Sequence, residues 1–257
     1  MPRTLTLLLL VLAALAGCTR GGQTQQTITV FAAASLTEAF RAIERAYELE
    51  HPEHDVELNF AGSQLLATQL LEGAPGLVFA SADPVQLDRV GAERPLASRR
   101  GVATNRIVIV VPAGSAIMTV WDLADPGRRV VLAGEAVPAG RYARLALLGS
   151  PLDSVDLRGG VERNLVSNET DVRAVVAKVR LGEADAGMAY ATDVLGDPQL
   201  ELRELSPPFT VEPARYELAV IADGREQALR DAGMQFVEFV SSPTGQAILA
   251  AHGFGPP

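Results

Sequence analysis

Short β-rich apolar runs alternate along this chain with longer segments in which apolar residues recur every three or four positions. This alternation is typical of α/β proteins, in which helices pack on the faces of a sheet. Two further helices are predicted near the C-terminus, over residues 225–240 and 243–251. The runs that predict strands are Ile28–Phe31, Val56–Phe60, Leu77–Ala80, Ile107–Val111, Val130–Leu132, Ala186–Tyr190 and Leu218–Ile221.

Four of the predicted helices begin directly after small, hydroxyl or acidic residues. Ser35 precedes the first helix, and Glu38 lies three residues after Ser35, which predicts a capping box. Ser63 precedes the second helix. The third follows the turn Val137–Gly140, and the fourth begins near Asp171. The first N–H groups of a helix lack internal partners and the helix dipole is positive there, so several converging ends would hold a dianion without lysine or arginine.

The N-terminus predicts export. Residues Leu5–Ala16 are apolar after the single positive charge of Arg3, and this run is shorter than the ~20 residues that a membrane-spanning helix needs. Cys18 follows small residues and is the only cysteine, so it has no disulfide partner within the chain. We therefore expect a lipoprotein signal peptide over 1–17 and a lipidated tether over 18–26, with the protein held on a membrane and facing the periplasm or the cell exterior. The alternative is an ordinary signal peptide with an incidental cysteine.

Charge restricts the class of partner. Hydrophobic residues make up 48% of the chain and charged residues 21%, a balance typical of a globular protein. Removal of the signal peptide takes away Arg3 and leaves 21 basic against 31 acidic side chains, a net charge of −10. An acidic surface argues against nucleic acid as a partner. An anionic ligand would have to be held by local dipoles, because the overall field repels it.

Motifs of the common hydrolases, nucleotide-binding proteins and metalloproteases do not occur in the sequence. The histidines His51, His54 and His252 lie in polar contexts, are predicted to be solvated, and have no cysteine nearby, so a zinc site is not expected. A hydrolase that used Ser35 or Ser63 as its nucleophile would need a neighbouring histidine base, and no motif indicates one. The chain is therefore predicted not to be an enzyme.

Several blocks in order along the chain resemble the periplasmic molybdate-binding protein family. The resemblance extends from about residue 27 to 254, and although each block alone is weak, the ordered set is specific. The blocks are Thr29-Val-Phe-Ala-Ala-Ala-Ser-Leu36, Phe60-Ala-Gly-Ser63, Gly73-Ala-Pro75, Phe79-Ala-Ser-Ala-Asp83, Val137-Pro-Ala-Gly140, Asp171-Val-Arg173 and Gly182-Glu-Ala-Asp-Ala-Gly187, with Tyr190. The chain departs from the family's usual pattern at Leu77 and Leu218, neither of which corresponds to a ligand position.

This resemblance implies a two-lobed type II periplasmic-binding-protein fold with the ligand in the cleft between two α/β lobes. It implies a division into 27–105 and 217–257 for the first lobe and 106–216 for the second. The ligand would be molybdate or tungstate, with no cofactor, and the partner would be the membrane permease of an ABC importer, with the protein a monomer. The residues implied to contact the oxygens of the oxyanion, and not the metal itself, are Ser35, Ser63, Ala139, Val172 and Tyr190.

Alternatives remain open at this point. Sulfate or phosphate would suit the same class of binding protein, and a structural lipoprotein or adhesin would need no converging helix ends. Arg141 and Arg173 stand beside implied binding positions. We expect both to point away along their helices, because neutral donors suffice for a ligand that must be released.

Overall fold

The computed structural model describes residues 25–148, 156–207 and 209–257, and the predicted signal peptide with Cys18 lies outside these ranges. Its strands form two five-stranded mixed sheets, each flanked by helices. This two-lobed α/β architecture confirms the predicted fold class. Within the described ranges, no helix is long and apolar enough to cross a membrane.

Three parallel strands form one side of the first sheet. Strand β1 (Gln26–Ala33) lies parallel to β2 (His54–Ala61) and β3 (Val78–Ser81), and the order continues through β10 (Ala214–Ile221) to β4 (Leu96–Asn105). Strand β10 is antiparallel to both β3 and β4. The helices of this lobe are α1 (Thr37–Glu50), α2 (Ser63–Leu71), α3 (Pro84–Gly91), α7 (Gln227–Ser241) and α8 (Pro243–Ala251).

Both faces of the first sheet are covered. Phe40 of α1 and Phe236 of α7 belong to the main core, whereas Leu66 of α2 and Leu87 of α3 belong to a separate buried cluster around Phe79. A sheet with helices on both faces has strands that are apolar on both sides, which accounts for the unbroken apolar runs.

The second sheet repeats this arrangement. Strand β6 (Val130–Ala133) is parallel to β7 (Leu165–Glu169) and β8 (Ala186–Tyr190), and β5 (Ile107–Pro112) is antiparallel to β8 and to β9 (Leu200–Glu204). The order is β7-β6-β8-β5-β9. The helices of this lobe are α4 (Pro138–Leu147), α5 (Leu157–Arg163) and α6 (Val172–Arg180).

All seven predicted strands occur, but β4, β7 and β9 were not predicted. All three lie at the edge of a sheet, and they carry polar residues such as Arg99, Arg100 and Arg203. Edge strands bury less surface than central ones and tolerate charge, so they lack the apolar run by which the others were predicted. Helices α3 and α5 were also missed.

The chain passes between the sheets twice. Only Arg106 separates β4 from β5, whereas residues 205–213 connect β9 to β10. We propose these two connections as the crossings between the lobes. Strand β10 begins at Ala214, three residues before the residue 217 expected as the start of the return segment, and the division into lobes stays a prediction.

Candidate functional site

All five residues implied by the resemblance line one cavity between the lobes. Ser35 and Ser63 belong to the first lobe, and Ala139, Val172 and Tyr190 to the second. The cavity has a volume of about 10 Å³, which is near the room that one water molecule needs. No lysine or arginine is among the residues that line it in the described part of the chain.

Ser35 does not cap α1. It lies inside a short 3-10 helix, Ala34–Leu36, and α1 starts only at Thr37, so the predicted capping box is wrong. The Ser35 hydroxyl lies 2.9 Å from the hydroxyl of Tyr216, a fully buried residue of β10. Burial raises the pKa of Tyr216 well above its usual value, so this phenol stays protonated. No local sequence pattern indicated Tyr216, which is distant from Ser35 along the chain.

Ser63 is the first residue of α2, and Gly62 takes the capping position. The Ser63 Oγ accepts a hydrogen bond of 3.1 Å from the N–H of Ala82. Since that bond uses a lone pair, the hydroxyl proton remains available to donate into the cavity. Gly62 faces the other lobe so closely that a Cβ atom there would lie 2.4 Å from the carbonyl oxygen of Thr170.

Ala139 and Val172 stand at helix N-termini in the second lobe. Ala139 follows Pro138 at the start of α4, and Val172 is the first residue of α6 after Asp171, whose carboxylate accepts from the Ala174 N–H at 3.0 Å. Within the described residues, neither the Ala139 N–H nor the Val172 N–H donates to another protein atom. Both amides therefore offer a free donor at the positive end of a helix dipole.

Tyr190 ends strand β8 with its side chain fully buried in the cavity wall. Its hydroxyl has no hydrogen-bond partner among the described residues. Burial raises the pKa of Tyr190 well above its usual value, so the hydroxyl keeps its proton. Most buried polar atoms in proteins are paired, and an unpaired one at a cavity indicates a partner from outside the chain.

Arg141 and Arg173 do not point away from the cleft, so that expectation is wrong. Each guanidinium reaches across to a carboxylate of the first lobe, with Arg141 Nη2 2.9 Å from Asp83 Oδ2 and Arg173 Nη1 2.7 Å from Glu38 Oε2. The Nε2 atom of Gln64 makes a third link, 2.8 Å from the Thr170 carbonyl oxygen. Both arginines stand one or two residues beyond a cavity residue on their own helix, and their long side chains span the gap between the lobes.

The histidines lie away from this cavity. His51 and His54 form a cluster with Glu53 at the end of α1, and His252 follows α8. His54 was expected to be solvated, but it is 5% exposed and its Nδ1 lies 2.7 Å from the Tyr47 hydroxyl. The ring planes of His51 and His54 are stacked at 21°, whereas a shared metal would have to lie in the plane of both rings.

The cavity is therefore lined by neutral hydrogen-bond donors from two lobes. The residues that line it include two free helix N-termini, two serines and a buried phenol, and in the described part of the chain neither serine is paired with a histidine. Two α/β lobes that enclose a cleft of this kind define a substrate-binding protein.

Comparison with known proteins identifies the family. The model of the family described as bacterial extracellular solute-binding protein matches residues 28–255. The molybdate-binding protein ModA of Mycobacterium bovis is 37% identical over 245 residues, which cover 94% of this chain and 88% of that protein. The chain belongs to this bacterial extracellular solute-binding protein family, in the group of the periplasmic molybdate-binding proteins.

Solved structures share the fold. The periplasmic molybdate-binding protein of Azotobacter vinelandii superposes with a TM-score of 0.74 at 20% identity, over 90% of this chain and 99% of that chain. The sulfate-binding protein SubI of Mycobacterium tuberculosis superposes with a TM-score of 0.75 at 18% identity, over 90% and 87%. The fold is thus common to binders of different anions.

Proposed function

We propose that this chain binds molybdate or tungstate between its lobes and delivers it to the membrane permease of an ABC importer. The observation that carries the proposal is the Tyr190 hydroxyl, a buried donor without a partner among the described residues, in the cavity that Ser35, Ser63, Ala139 and Val172 also line. The identity with the molybdate-binding protein of Mycobacterium bovis supports the choice of ligand.

The five groups would hold the oxyanion through its oxygen atoms. The hydroxyls of Ser35, Ser63 and Tyr190 and the N–H groups of Ala139 and Val172 would replace its hydration shell, and the two helix dipoles would stabilise its charge. An anion with four oxygens needs more room than a single water molecule, so the lobes must part slightly as it enters a cavity of about 10 Å³. Because the donors come from both lobes, the bound anion favours the closed form that a permease could recognise as loaded.

The same donors predict selectivity by size. Molybdate, tungstate and sulfate all carry two negative charges at neutral pH, so a cavity of fixed neutral donors cannot rank them by charge. Sulfate is smaller and would leave some donors too far away to bond, at a cost of about 1–3 kcal/mol for each buried donor left unpaired. Hydrogen phosphate would bring a proton of its own into a site composed of donors.

Calorimetric titration of the purified protein with molybdate, tungstate, sulfate and phosphate tests the proposal. We expect molybdate and tungstate to bind alike and sulfate to bind weaker by orders of magnitude. Equal competition by sulfate would exclude the molybdate assignment and leave the class of binding protein intact. No binding of any of the four anions would exclude an oxyanion-binding function.

We also propose that Cys18 carries the lipid anchor, and that its acyl chains hold the protein on a membrane in the periplasm or at the cell exterior, as a monomer. The support is the small-residue sequence before the only cysteine of the chain. One acyl chain binds membranes only marginally, so a stable anchor requires more than one. Labelling with a radioactive fatty acid should mark the wild type but not Cys18→Ser, and label in the variant would refute the assignment.

The alternative of a serine hydrolase is not favoured by the geometry. The Ser35 hydroxyl bonds Tyr216, and the Ser63 hydroxyl accepts from a backbone amide. Neither pairs with a histidine that could take its proton, as nucleophilic catalysis by serine requires.

A further inference from the structure

The ion pair between Arg141 and Asp83 joins the lobes next to the oxyanion cavity. Arg141 Nη2 lies 2.9 Å and Nε 3.3 Å from Asp83 Oδ2. Arg141 is two residues beyond Ala139 on α4. Asp83 directly follows Ala82, whose N–H bonds Ser63. Each partner is therefore within two residues of the cavity wall of its own lobe.

Asp83 presents an electrostatic difficulty for a protein that encloses a dianion. Its carboxylate is only 1% exposed and caps α3 by accepting from the Gln86 N–H at 3.1 Å. Burial is the main reason that the pKa of Tyr190 lies above its usual value, and the charge of Asp83 adds to that shift. Asp83 directly follows Ala82, which lines the cavity, and its burial leaves its charge weakly screened by water.

The second ion pair across the cleft provides an internal contrast. The side chains of Arg173 and Glu38 are 46% and 61% exposed, against 34% and 1% for Arg141 and Asp83. Exposed pairs are screened by water and contribute little. The two pairs cross the same cleft, but only one of them contains a buried anion.

We propose that Arg141 is a positioning residue for oxyanion binding, and that its guanidinium neutralises Asp83 so that the lobes can close over a dianion. This inference rests on the proposed function. Arg141 does not contact the oxyanion. It acts by cancelling the like charge that would otherwise face the ligand from the first lobe. A pair that served only as a mechanical link between the lobes would behave differently when Asp83 is removed.

The test measures molybdate affinity of the purified protein by calorimetry in four variants. Arg141→Met leaves Asp83 charged and should weaken binding by about 30-fold or more, as loss of one partner of a buried pair does. Asp83→Asn keeps an oxygen that caps α3 and removes the repulsion, so its affinity should equal or exceed that of the wild type. The double variant Asp83→Asn/Arg141→Met should bind molybdate at least about tenfold more tightly than Arg141→Met. The matched control Arg173→Met should change affinity by less than about threefold.

Two results would overturn the inference. The first is a double variant that binds molybdate as weakly as Arg141→Met. The second is a loss of molybdate affinity in Asp83→Asn as large as that expected for Arg141→Met. Either result would assign the pair a purely mechanical role. If Arg141→Met does not fold, as judged by its unfolding temperature, Asp83→Asn still decides between the two roles. If the wild-type protein does not bind molybdate, the proposed function itself is refuted. If the wild type binds and only the variants depart from expectation, the inference about Arg141 is refuted and the proposed function stands.

Discussion

The two lobes have the same sheet topology but supply different kinds of donor. In the first lobe, Ser35 follows β1 and Ser63 follows β2. In the second lobe, Ala139 follows β6, and Val172 is the first residue of α6, just after β7. These are equivalent places, at the carboxyl ends of the central and the outer parallel strand, where α/β sheets bind ligands. The first lobe presents side-chain hydroxyls there, and the second presents backbone amides.

The third equivalent place shows the largest difference. Strand β8 ends at Tyr190, which points a phenol into the cavity, whereas β3 is followed by Ala82 and Asp83, which support Ser63 and bind Arg141. One scaffold can therefore direct different chemical groups at the same point. It also means that truncation of a side chain can delete the donors of the first lobe, but leaves the backbone amides of the second in place.

The largest effect should come from preventing the lobes from meeting. In Gly62→Ala the new Cβ would lie 2.4 Å from the Thr170 carbonyl oxygen of the opposite lobe. We expect molybdate affinity to fall by about 100-fold or more, because the anion then loses several bonds to the second lobe at about 1–3 kcal/mol each. The unfolding temperature should stay close to that of the wild type.

The matched variant is Gly140→Ala. Its Cβ would lie 2.1 Å from the carbonyl oxygen of Gly134, within the second lobe. This change should lower the unfolding temperature of the protein, whereas Gly62→Ala should act on binding. Equal losses of stability in the two variants would contradict the assignment of Gly62 to the contact between lobes. Thermal unfolding and calorimetry on both proteins distinguish these outcomes.

A smaller loss of molybdate affinity is expected when a single hydroxyl is removed, and its cost in stability should differ between the two lobes. Tyr190→Phe removes a donor without a partner in the described chain, so molybdate binding should weaken by about 1.5–3 kcal/mol, the usual value for a hydrogen bond to a charged group, with no loss of stability. Ser35→Ala should weaken binding similarly but also destabilise the protein, because it leaves the buried Tyr216 hydroxyl without its 2.9 Å contact.

Calorimetry and denaturant unfolding of both variants provide the measurement. The contrast fails if Tyr190→Phe loses as much stability as Ser35→Ala, since that would mean the Tyr190 hydroxyl has a partner inside the protein. Unchanged affinity in Tyr190→Phe would remove this residue from the site.

The smallest effect concerns the pH dependence of stability and comes from Asp193, a carboxyl group of the second lobe. Burial raises the pKa of Asp193 from 3.8 to about 7, and Glu38 and Asp171 add to the rise, while the Tyr190 N–H and Arg173 oppose it. Because the pKa of this carboxyl is higher in the folded than in the unfolded protein, the protonated group stabilises the fold. Its contribution to the free energy of unfolding is lost as the pH rises from about 4 to about 7.

Asp193→Asn keeps an oxygen for the Tyr190 N–H and removes the titration. Its unfolding temperature should exceed that of the wild type by a few degrees at pH 8, and the difference should shrink towards pH 4. Calorimetric scans at several pH values check this. A constant difference across the range would mean that Asp193 does not titrate there.

The sequence was sufficient for the central strands, whereas the role of Ser35 and Ser63 as donors to a ligand rests on the resemblance and stays a prediction. Ser35 and Ser63 stand out as hydroxyls before helices, even though neither caps its helix as expected. Ala139 and Val172 donate through the backbone, so their side chains carry no signal, and only the resemblance to a family indicated them. Tyr216 was missed because its contact with Ser35 joins residues far apart in the chain. Asp83 could have been found, since an aspartate followed by Pro84 is a typical helix start.

The two connections between the sheets differ in length, and this difference restricts how the cleft can open. The connection at Arg106 is one residue long. The Arg106 N–H donates to Asn105 Oδ1, and Asn105 Nδ2 donates to Thr192 Oγ1 at 2.8 Å. A single residue has only two soft dihedral angles. On the crossings proposed above, Arg106 is therefore a pivot with little freedom, whereas the return connection from 205 to 213 is nine residues long. Opening becomes a rotation with few degrees of freedom, in which each donor moves along an arc set by its distance from Arg106.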